Sequence, residues 1–387
     1  MILNVALPQA DGTLRHYQVS GEPLPLPAEA PRFETRVAYA AAHVVCDPMV
    51  TSASDDEPVL DLDATLAFRE YLWSLGLGVA EAMDTAQRGM GLTWPAAREL
   101  IRHSLALAQE AGGRIVCGAG TDQLDPTGAS ISDVIAAYHE QCGFIESQGG
   151  SVVLMASRAL ARCARGADDY LTVYDKVLSQ LERPAILHWL GEMFDPALAG
   201  YWGSHELDDA LETFVALIEE HAARIDGIKV SLLDERRELD LRERLPDGVR
   251  VYTGDDFNYP SLIRGDGTHH SDVLLGIFDA IAPAASIALS ALDKGDTARY
   301  EEVLTPTVDL ARHIFCAPTR FYKTGLVFMA YLNGHQDHFR MIGGLESGRS
   351  VAHLARIFEL ADIAGLLRHP DLASSRLSRF LALAGAP

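Results

Sequence analysis

The stretch Ile225-Asp-Gly-Ile-Lys-Val-Ser-Leu-Leu-Asp234 decides the fold that we assign to this sequence. It has the apolar pattern of a short strand, with Lys229 in its middle. A strand of a parallel sheet is covered on both faces and should be apolar throughout, and lysine is almost never fully buried unless something pairs with it. In a closed barrel, Ile228 and Val230 would face the outer helices and Lys229 the interior. Burial there would lower the pKa of the amine, as a nucleophilic lysine requires.

The alternative for Lys229 is a strand-end lysine paired with a neighbouring carboxylate. The rest of the chain favours the barrel, because strand patterns alternate with helical periodicity from residue 36 onward, and eight such units fit a (β/α)8 barrel. A doubly wound sheet competes, but Cys46-Asp47-Pro48 stands where its glycine-rich loop is expected. The predicted strands are 37–45, 78–84, 114–118, 151–156, 184–189, 225–230, 248–253 and 273–278. The predicted helices are 62–75, 92–111, 130–148, 169–181, 206–222, 234–244, 258–264 and 279–294.

Two further regions flank the predicted barrel. Residues 2–7 and 14–19 predict an N-terminal hairpin with a turn at Asp11-Gly12, followed by a proline-rich linker. Beyond residue 297 the pattern is helical only, over 297–315, 319–332, 350–366 and 371–384. We therefore divide the chain into hairpin and linker (1–35), barrel (36–296) and C-terminal helical extension (297–387).

The composition limits the partners and the compartment. A formal net charge of −22 over 387 residues argues against nucleic acid and anionic membranes, because phosphate binding needs clustered cations. The five cysteines contain no C-x-x-C pair, which favours reduced thiols over a zinc site. We see neither a signal peptide nor a membrane-length apolar run. These features predict a cytoplasmic enzyme with a small-molecule substrate, and a homo-oligomer, dimer or tetramer, is the default assembly.

In a barrel the site is built at the C-terminal ends of the strands, so we consider the polar residues found there. His188 follows an apolar run and is either a core residue or a catalyst. Of Asp255 and Asp256, at least one is expected to cap the next helix. His269-His270 is either a solvated loop or a source of one metal ligand. The candidates at the ends of the second, fourth, fifth, sixth and seventh strands are Asp84, Thr85, Ser157, Arg158, His188, Glu192, Lys229, Gly254 and Asp255.

Three stretches together resemble the dihydrodipicolinate synthase / N-acetylneuraminate lyase family, over residues 36–294. They are Arg183-Pro-Ala-Ile-Leu-His-Trp-Leu-Gly191, Asp226-Gly-Ile-Lys229 and Val251-Tyr-Thr-Gly-Asp-Asp256. They match, in order, the family's Pro-(Val/Ile)-Ile-Leu-Tyr-Asn, Gly-Ile-Lys and Ser-Gly-Asp-Asp strands. The sequence is best described as a divergent, dihydrodipicolinate synthase-like member of unknown function.

The resemblance implies roles for some of these residues. Lys229 matches the lysine that forms a Schiff base with a keto substrate, and Gly254 and Asp255 match the seventh-strand motif. Thr85 matches a threonine that holds the keto-acid carboxylate and relays protons. His188 stands in place of the family's catalytic tyrosine, and we expect it to take over proton shuttling, with a pH–rate limb near neutrality.

The sequence thus predicts a lyase of the class I aldolase type, without a metal or organic cofactor, acting on a small oxo or keto compound that includes sugar-derived ones. The predicted substrate contacts are Asp84, Ser157, Arg158, Glu192, Gly254 and Asp255. Of these, Arg158 is the best candidate to hold a carboxylate. One rival is a metal-dependent barrel isomerase or aldolase, which would use His188, Glu81, Asp255 and His269 or His270. The other is a catalytically silent barrel that binds a metabolite.

A first prediction follows from Glu192, which stands where the family often has an arginine that binds the second substrate. A carboxylate repels an anionic partner that an arginine would clamp in a bidentate geometry. We expect no condensation of pyruvate with aspartate semialdehyde at an ordinary enzymatic rate, above roughly 1 per second. A coupled assay with purified protein checks this, and turnover at that rate would contradict it.

Overall fold

A closed barrel of eight parallel strands forms the centre of the protein, and it confirms the predicted (β/α)8 fold. The computed structural model describes residues 3–54 and 57–386. Every strand pairs with its neighbours in sequence, and the last strand closes on the first. The barrel strands are β3 (Ala38–Ala41), β4 (Gly78–Glu81), β5 (Ile115–Ala119), β6 (Val152–Leu154), β7 (Ala185–Leu190), β8 (Ile225–Ser231), β9 (Arg250–Thr253) and β10 (Asp272–Leu275).

Helices cover the outside of the barrel close to the predicted positions. An additional short helix, α4, directly follows β6. It was not predicted because Met155-Ala-Ser157 reads as the end of the strand, whereas the Ser157 hydroxyl accepts from the Leu160 backbone N–H and starts a helix there. The outer helices are α1 (Leu62–Ser74), α2 (Trp94–Ala111), α3 (Ile131–Ser147), α4 (Arg158–Cys163), α5 (Ala167–Gln180), α6 (Leu207–His221), α7 (Glu235–Arg244), α8 (Tyr259–Arg264) and α9 (Ala282–Asp293).

The two ends of the chain pack on each other. The N-terminal hairpin consists of β1 (Leu3–Pro8) and β2 (Leu14–Val19), and it lies against the C-terminal helices. The carboxylate of Asp362 accepts hydrogen bonds from the Tyr17 hydroxyl (2.7 Å) and from the backbone N–H groups of Ser20 and Gly21. The C-terminal helices are α10 (Thr297–Ile314), α11 (Tyr322–Leu332), α12 (Val351–Ile363) and α13 (Pro370–Leu383).

No helix in the described ranges is long and apolar enough to cross a membrane. The division of the chain at residues 35/36 and 296/297, and the homo-oligomeric state, remain predictions.

The strand that carries Lys229 has the predicted orientation. Ile228 and Val230 belong to the large core between barrel and helices. Lys229 is in register with His188 on β7 and with Tyr252 on β9, and Tyr252 belongs to the separate cluster that fills the barrel interior. Side chains in register on neighbouring parallel strands point to the same side of a sheet. Lys229 therefore faces the interior, near the C-terminal end of its strand.

A buried acid lies between α7 and the barrel wall. Glu238 is fully buried, and its Oε1 atom accepts a hydrogen bond from the Ser271 hydroxyl at 2.7 Å. Its Oε2 atom has no partner in the described structure. Burial raises the pKa of Glu238 to about 8, since no cation compensates its charge directly. The folded protein thus holds this carboxyl group in its protonated form near neutral pH.

We therefore predict that Glu238→Gln stabilises the protein in a pH-dependent way. The folded pKa lies above the ordinary value of 4.5, so wild-type stability falls as pH rises from about 4.5 to about 8, while the variant has no such loss. The difference in unfolding free energy should be near zero at pH 4 and reach a few kcal/mol, as an order of magnitude, at pH 8. Urea unfolding at several pH values measures it, with the exposed Glu220→Gln as control. A pH-independent difference would contradict the assignment.

Candidate active site

Lys229 lies at the centre of the candidate site and is 7% exposed. Burial lowers the pKa of its amine, and the charges of Asp84 and Asp256 oppose this only in part. Within the described part of the chain, no carboxylate oxygen lies within 4.0 Å of its nitrogen. A lysine that served only to pair with a carboxylate would be held by a short ion pair. The short ion pair that the structural alternative requires is therefore absent from the described structure.

His188 lies beside Lys229 but is held as a neutral ring. Its Nε2 atom is 3.0 Å from the Ser231 hydroxyl, and its Nδ1 atom is 3.9 Å from the Asp84 carboxylate. Burial, followed by the charge of Lys229, lowers the pKa of His188 well below 6.5. This direction speaks against a pH–rate limb near neutrality from His188 in the free protein, and its proton-shuttling role stays a prediction. The structure leaves His188 as a hydrogen-bonding neighbour of Ser231.

A short 3-10 helix, Asp84–Ala86, follows β4 and brings two predicted residues to the mouth. The Oδ2 atom of Asp84 is buried without a hydrogen-bond partner in the described structure. The hydroxyl of Thr85 is buried and lies 2.9 Å from the hydroxyl of Tyr322. Asp84 thus retains an unused acceptor, and Thr85 connects the barrel to helix α11.

The end of β9 places Asp256, and not Asp255, in the electrostatic environment of Lys229. Asp255 accepts hydrogen bonds from the backbone N–H groups of Phe257 and Asn258 and from the Asn258 amide. Its carboxylate is used in this turn before α8, and its role as a substrate contact stays a prediction. Burial raises the pKa of Asp256 to about 7, although Lys229 opposes the shift. Sequence reasoning did not separate these two adjacent aspartates.

Gly254 is placed where only a hydrogen atom fits. A Cβ atom there would lie 2.2 Å from the Ser231 hydroxyl, 2.6 Å from the Val230 carbonyl and 3.1 Å from Cε of Lys229. Gly254 therefore shapes the pocket around the lysine through its missing side chain, and its own N–H donates to the Val230 carbonyl at 2.8 Å.

A cleft of about 190 Å³ opens beside this cluster. The Arg158 guanidinium lines it, and its Nε atom donates to the Asp195 carboxylate at 2.5 Å while its Nη1 atom donates to the Gly89 carbonyl. Asp84 belongs both to this cleft and to the surroundings of Lys229. The other lining residues include Arg88, Gly120, Thr121, Asp122, Met155, Leu190 and Leu198.

Two predicted substrate contacts have other positions. Ser157 caps α4, and its hydroxyl lies 2.6 Å from that of Thr121. Glu192 is exposed and lines a different surface groove, together with His205 and Asp234. The carboxylate of that loop which reaches the main cleft is Asp195, which the sequence analysis did not single out.

Helix α11 supplies two further side chains to the mouth, Tyr322 and Lys323, both of them buried. Burial lowers the pKa of Lys323 to about 8, and Asp84 is the strongest charge that opposes the shift. The sequence does contain a signal for this residue, since the chain has only four lysines and Lys323 stands before an apolar run. Only tertiary packing, however, shows that this helix reaches the barrel.

The residues of the metal-dependent alternative are not brought together. Glu81 faces outward, where Arg69 and the Ser104 hydroxyl bind its carboxylate. Burial alone would raise the pKa of Glu81, but Arg69 outweighs it and the pKa is lowered. His269 and His270 precede β10 and lie at the opposite end of the barrel. Across residues 3–54 and 57–386, no three His, Cys, Asp or Glu side chains form a metal-binding group.

Solved structures with the same fold are dihydrodipicolinate synthases and their relatives. The enzyme from Bacillus anthracis is 16% identical, with a TM-score of 0.56 over 76% of this chain and 88% of its own. The enzyme from Acinetobacter baumannii, solved with pyruvate, is 16% identical, with a TM-score of 0.62 over 86% and 100%. YagE, an Escherichia coli K12 prophage protein also solved with pyruvate, is 12% identical, with a TM-score of 0.63 over 91% and 99%. At these identities the likeness shows the fold alone.

The chain itself belongs to the protein family of unknown function DUF993, whose family model matches residues 5–386. No curated protein matches the sequence.

The tight contact at Gly254 generates a prediction. In Gly254→Ala the added Cβ atom should displace the Ser231 hydroxyl and the Lys229 side chain. We expect this overpacking to lower the free energy of unfolding by about 1–3 kcal/mol. Gly143→Ala is the matched control, because a Cβ there, on α3, meets no atom within 4 Å, and it should stabilise by about 0.5–1 kcal/mol. Denaturant unfolding of both variants measures this. A Gly254→Ala protein as stable as the wild type would show that the contact is not as close as described.

Proposed function

We propose that this protein is an enzyme of the lyase and class I aldolase type that forms an imine between Lys229 and a small oxo compound. The observation that carries the proposal is the buried Lys229 amine at the C-terminal end of a barrel strand, with no carboxylate within 4.0 Å. A neutral amine is the nucleophilic form of lysine, and burial without a close counter-charge favours it. The likeness to barrels solved with pyruvate supports the same chemistry.

The reaction would begin at the neutral amine. Its lone pair forms the C–N bond with the carbonyl carbon, the C–O bond breaks, and the oxygen leaves as water with the two hydrogens of the amine. Asp256 would then protonate the imine nitrogen through a bridging water, because the two groups lie more than 4.0 Å apart in the free protein, and this leaves a carboxylate near an iminium. Its pKa of about 7 suits this transfer in both directions near neutral pH. The iminium accepts the electron pair of a C–C or C–O bond that breaks beside it, and the reverse flow makes that bond.

The cleft limits the class of substrate. A volume of about 190 Å³ fits a small compound only. Arg158 is its best group for a substrate carboxylate, since guanidinium binds carboxylates in a bidentate geometry, and Asp84 offers a free acceptor to a hydroxyl. A keto acid or a hydroxylated, sugar-derived oxo compound meets these requirements. The proposed chemistry needs no metal or organic cofactor.

We further propose that dihydrodipicolinate is not the product. Glu192 replaces the arginine of the second-substrate loop, and its carboxylate lines a separate groove. Asp195, which reaches the cleft from the same loop, is also an acid. This loop therefore offers no positively charged side chain to bind a second, anionic substrate.

Reductive trapping tests the imine. The chain has four lysines, Lys176, Lys229, Lys294 and Lys323, so peptide mass mapping resolves each one. With borohydride and a panel of keto acids and sugars, beginning with pyruvate, we expect mass gain on the peptide that contains Lys229. Lys229→Arg should abolish it, because guanidinium does not lose its proton near neutral pH. The exposed Lys176→Arg serves as the matched control and should label like the wild type.

Two results would contradict the proposal. One is labelling that concentrates on Lys323 and survives in Lys229→Arg, which would move the imine to helix α11. The other is a stable complex with a panel compound that shows neither turnover nor an imine, which would favour the silent, metabolite-binding barrel.

A further inference from the structure

We propose that the natural substrate is an uncharged, hydroxylated oxo compound, and that Asp195 selects it over keto acids. Asp195 does so by engaging Arg158, the arginine of the cleft that a substrate carboxylate could otherwise bind. The inference rests on the proposed function and narrows its substrate class, since both classes of compound could form an imine with Lys229. Its support is the set of charges that line the cleft and the hydrogen bonds in which they already take part.

Short distances connect the cleft to Lys229. Asp84 lines the cleft, and its Oδ2 atom lies 3.9 Å from Nδ1 of His188. The Nε2 atom of the same ring is 3.0 Å from the Ser231 hydroxyl. That hydroxyl lies 2.2 Å, and Cε of Lys229 lies 3.1 Å, from the position that a Cβ atom on Gly254 would take. A substrate held at Asp84 is therefore separated from the lysine by no more than one imidazole ring and one hydroxyl.

The lining of the cleft contains more acids than bases. Its formal charge is −1, since three of the charged side chains are aspartates and two are arginines, namely Asp84, Arg88, Asp122, Arg158 and Asp195. Charges interact more strongly in a partly desolvated cleft than in water, and like charges placed together oppose binding. A substrate carboxylate is therefore disfavoured in this cleft, whereas an uncharged compound meets no such repulsion.

Arg88 is already fully engaged within the protein. Its Nε and Nη2 atoms donate to the Asp122 carboxylate, and Nη2 also donates to the Gln141 side chain at 2.8 Å. Its Nη1 atom donates to the backbone carbonyls of Ala82 and Gly118. All three nitrogens of this buried guanidinium thus have partners. Arg88 supports the wall of the cleft and offers no free donor to a substrate.

Arg158 is the more accessible of the two arginines, but Asp195 competes for it. Its Nε atom donates to the Asp195 carboxylate at 2.5 Å, and its Nη1 atom donates to the Gly89 carbonyl at 3.0 Å. The backbone N–H of Ala197 donates to the same carboxylate at 3.1 Å and holds it in place. In the described structure this leaves Nη2 as the guanidinium nitrogen without a partner. A bidentate carboxylate needs two such nitrogens, so a keto acid would have to displace Asp195.

Lys323 does not supply the missing cation. It is not among the residues that line the cleft. Its Nζ atom donates to the Arg320 carbonyl at 3.3 Å and lies 4.4 Å from the centre of the Tyr322 ring. Burial also lowers the pKa of this amine to about 8, so it holds its proton less firmly than an ordinary lysine. The charge balance of the cleft is thus set by its own side chains.

The free hydrogen-bonding groups of the cleft match a hydroxyl better than a carboxylate. The Oδ2 atom of Asp84 is buried without a partner in the described structure and can only accept. Nη2 of Arg158 can only donate. A hydroxyl donates and accepts, so one or two hydroxyls next to the carbonyl can satisfy both groups, whereas an ionised carboxylate only accepts. A carboxylate would leave the acceptor of Asp84 unpaired and would also be repelled by its charge.

The test compares carbonyl probes that are matched in size and differ in charge. Hydroxyacetone has a CH2OH group where pyruvate has its carboxylate, and glycolaldehyde has the same relation to glyoxylate. Each probe is incubated with the protein and cyanoborohydride, and the initial rate of mass gain on the Lys229 peptide is measured against probe concentration. The exposed Lys176 and Lys294 in the same sample correct for the intrinsic reactivity of each carbonyl.

Four variants separate charge from shape. Asp195→Asn removes the charge but keeps the size, and asparagine can still accept from the backbone at this position. Asp195→Glu keeps the charge. The double variant Asp195→Asn/Arg158→Gln also removes the arginine that the first substitution frees. Asp208→Asn is the matched control, because it breaks another ion pair between an aspartate and an arginine, with Arg237, on the outer helices.

In the wild type we expect the neutral member of each pair to be trapped at least about tenfold faster than the anionic one, the effect of one nearby like charge. Asp195→Asn should lower this ratio by about 10- to 100-fold, the range of a hydrogen bond to a charged group. The change should appear as a lower half-saturating concentration of the anionic probe, since binding changes and the nucleophile does not. Asp195→Glu should stay close to the wild type, Asp208→Asn should leave the ratio unchanged, and the double variant should lose the gain.

The failure of this inference differs from the failure of the proposed function. If Lys229 of the wild type is trapped no faster than Lys176 and Lys294 with all four probes, the proposed function fails and this inference falls with it. If Lys229 reacts fast and prefers the anionic probes, the imine chemistry stands and the neutral substrate is wrong. A ratio in Asp195→Asn equal to that of the wild type, or a gain that persists without Arg158, would overturn the role of Asp195.

Discussion

The structure depends on one constraint, which is that a lysine amine lies inside a barrel without a close counter-charge. Moving an ammonium out of water costs several kcal/mol even after the protein relaxes, and a short ion pair would offset that cost only by keeping the amine charged. The protein keeps Asp84 and Asp256 farther than 4.0 Å from the amine. The neighbouring His188 is held neutral, and Gly254 leaves space for the lysine chain. Burial is the dominant effect on the Lys229 pKa, and Asp84 and Asp256 oppose it only in part because neither is close enough for an ion pair.

Lysine usage along the chain agrees with this. Lysine and arginine together number 32, and only four of them are lysine. Two of those four, Lys229 and Lys323, are buried at the barrel mouth. Arginine cannot lose its proton at working pH and lysine can. Elsewhere the chain meets its need for positive charge almost entirely with arginine, whereas at the mouth it has amines whose protonation can change.

The barrel could be predicted from the sequence because strands and helices leave local patterns of apolar and polar residues. Eight apolar strand segments that alternate with amphipathic helices are compatible with few folds. The alternation of side chains around Lys229 also indicated which face of its strand carries the lysine. The sequence did not suffice where the direction of one side chain depends on a turn. Asp255 and Asp256 differ by one position, and only the loop geometry decides which one accepts the hydrogen bonds of the turn and which one is among the charges that act on Lys229. Tyr322 was out of reach for another reason, since its contact with Thr85 spans 237 residues and no local pattern reports such a distance.

The hydrogen bonds between the N-terminal hairpin and Asp362 have a consequence for the order in which the protein assembles during synthesis. A nascent chain emerges from the ribosome N-terminus first. The hairpin therefore cannot form its hydrogen bonds with Asp362 until that residue, 342 positions after Ser20, has been synthesised. Until then helix α11 either has not been synthesised or is not packed against the barrel, so Tyr322 and Lys323 are not in place. The mouth of the barrel around Lys229 is then exposed to solvent. Water keeps an amine charged and unreactive towards carbonyl metabolites. Helix α11 is synthesised after all eight barrel strands, so Lys229 would be shielded from water only once this helix has packed onto the barrel.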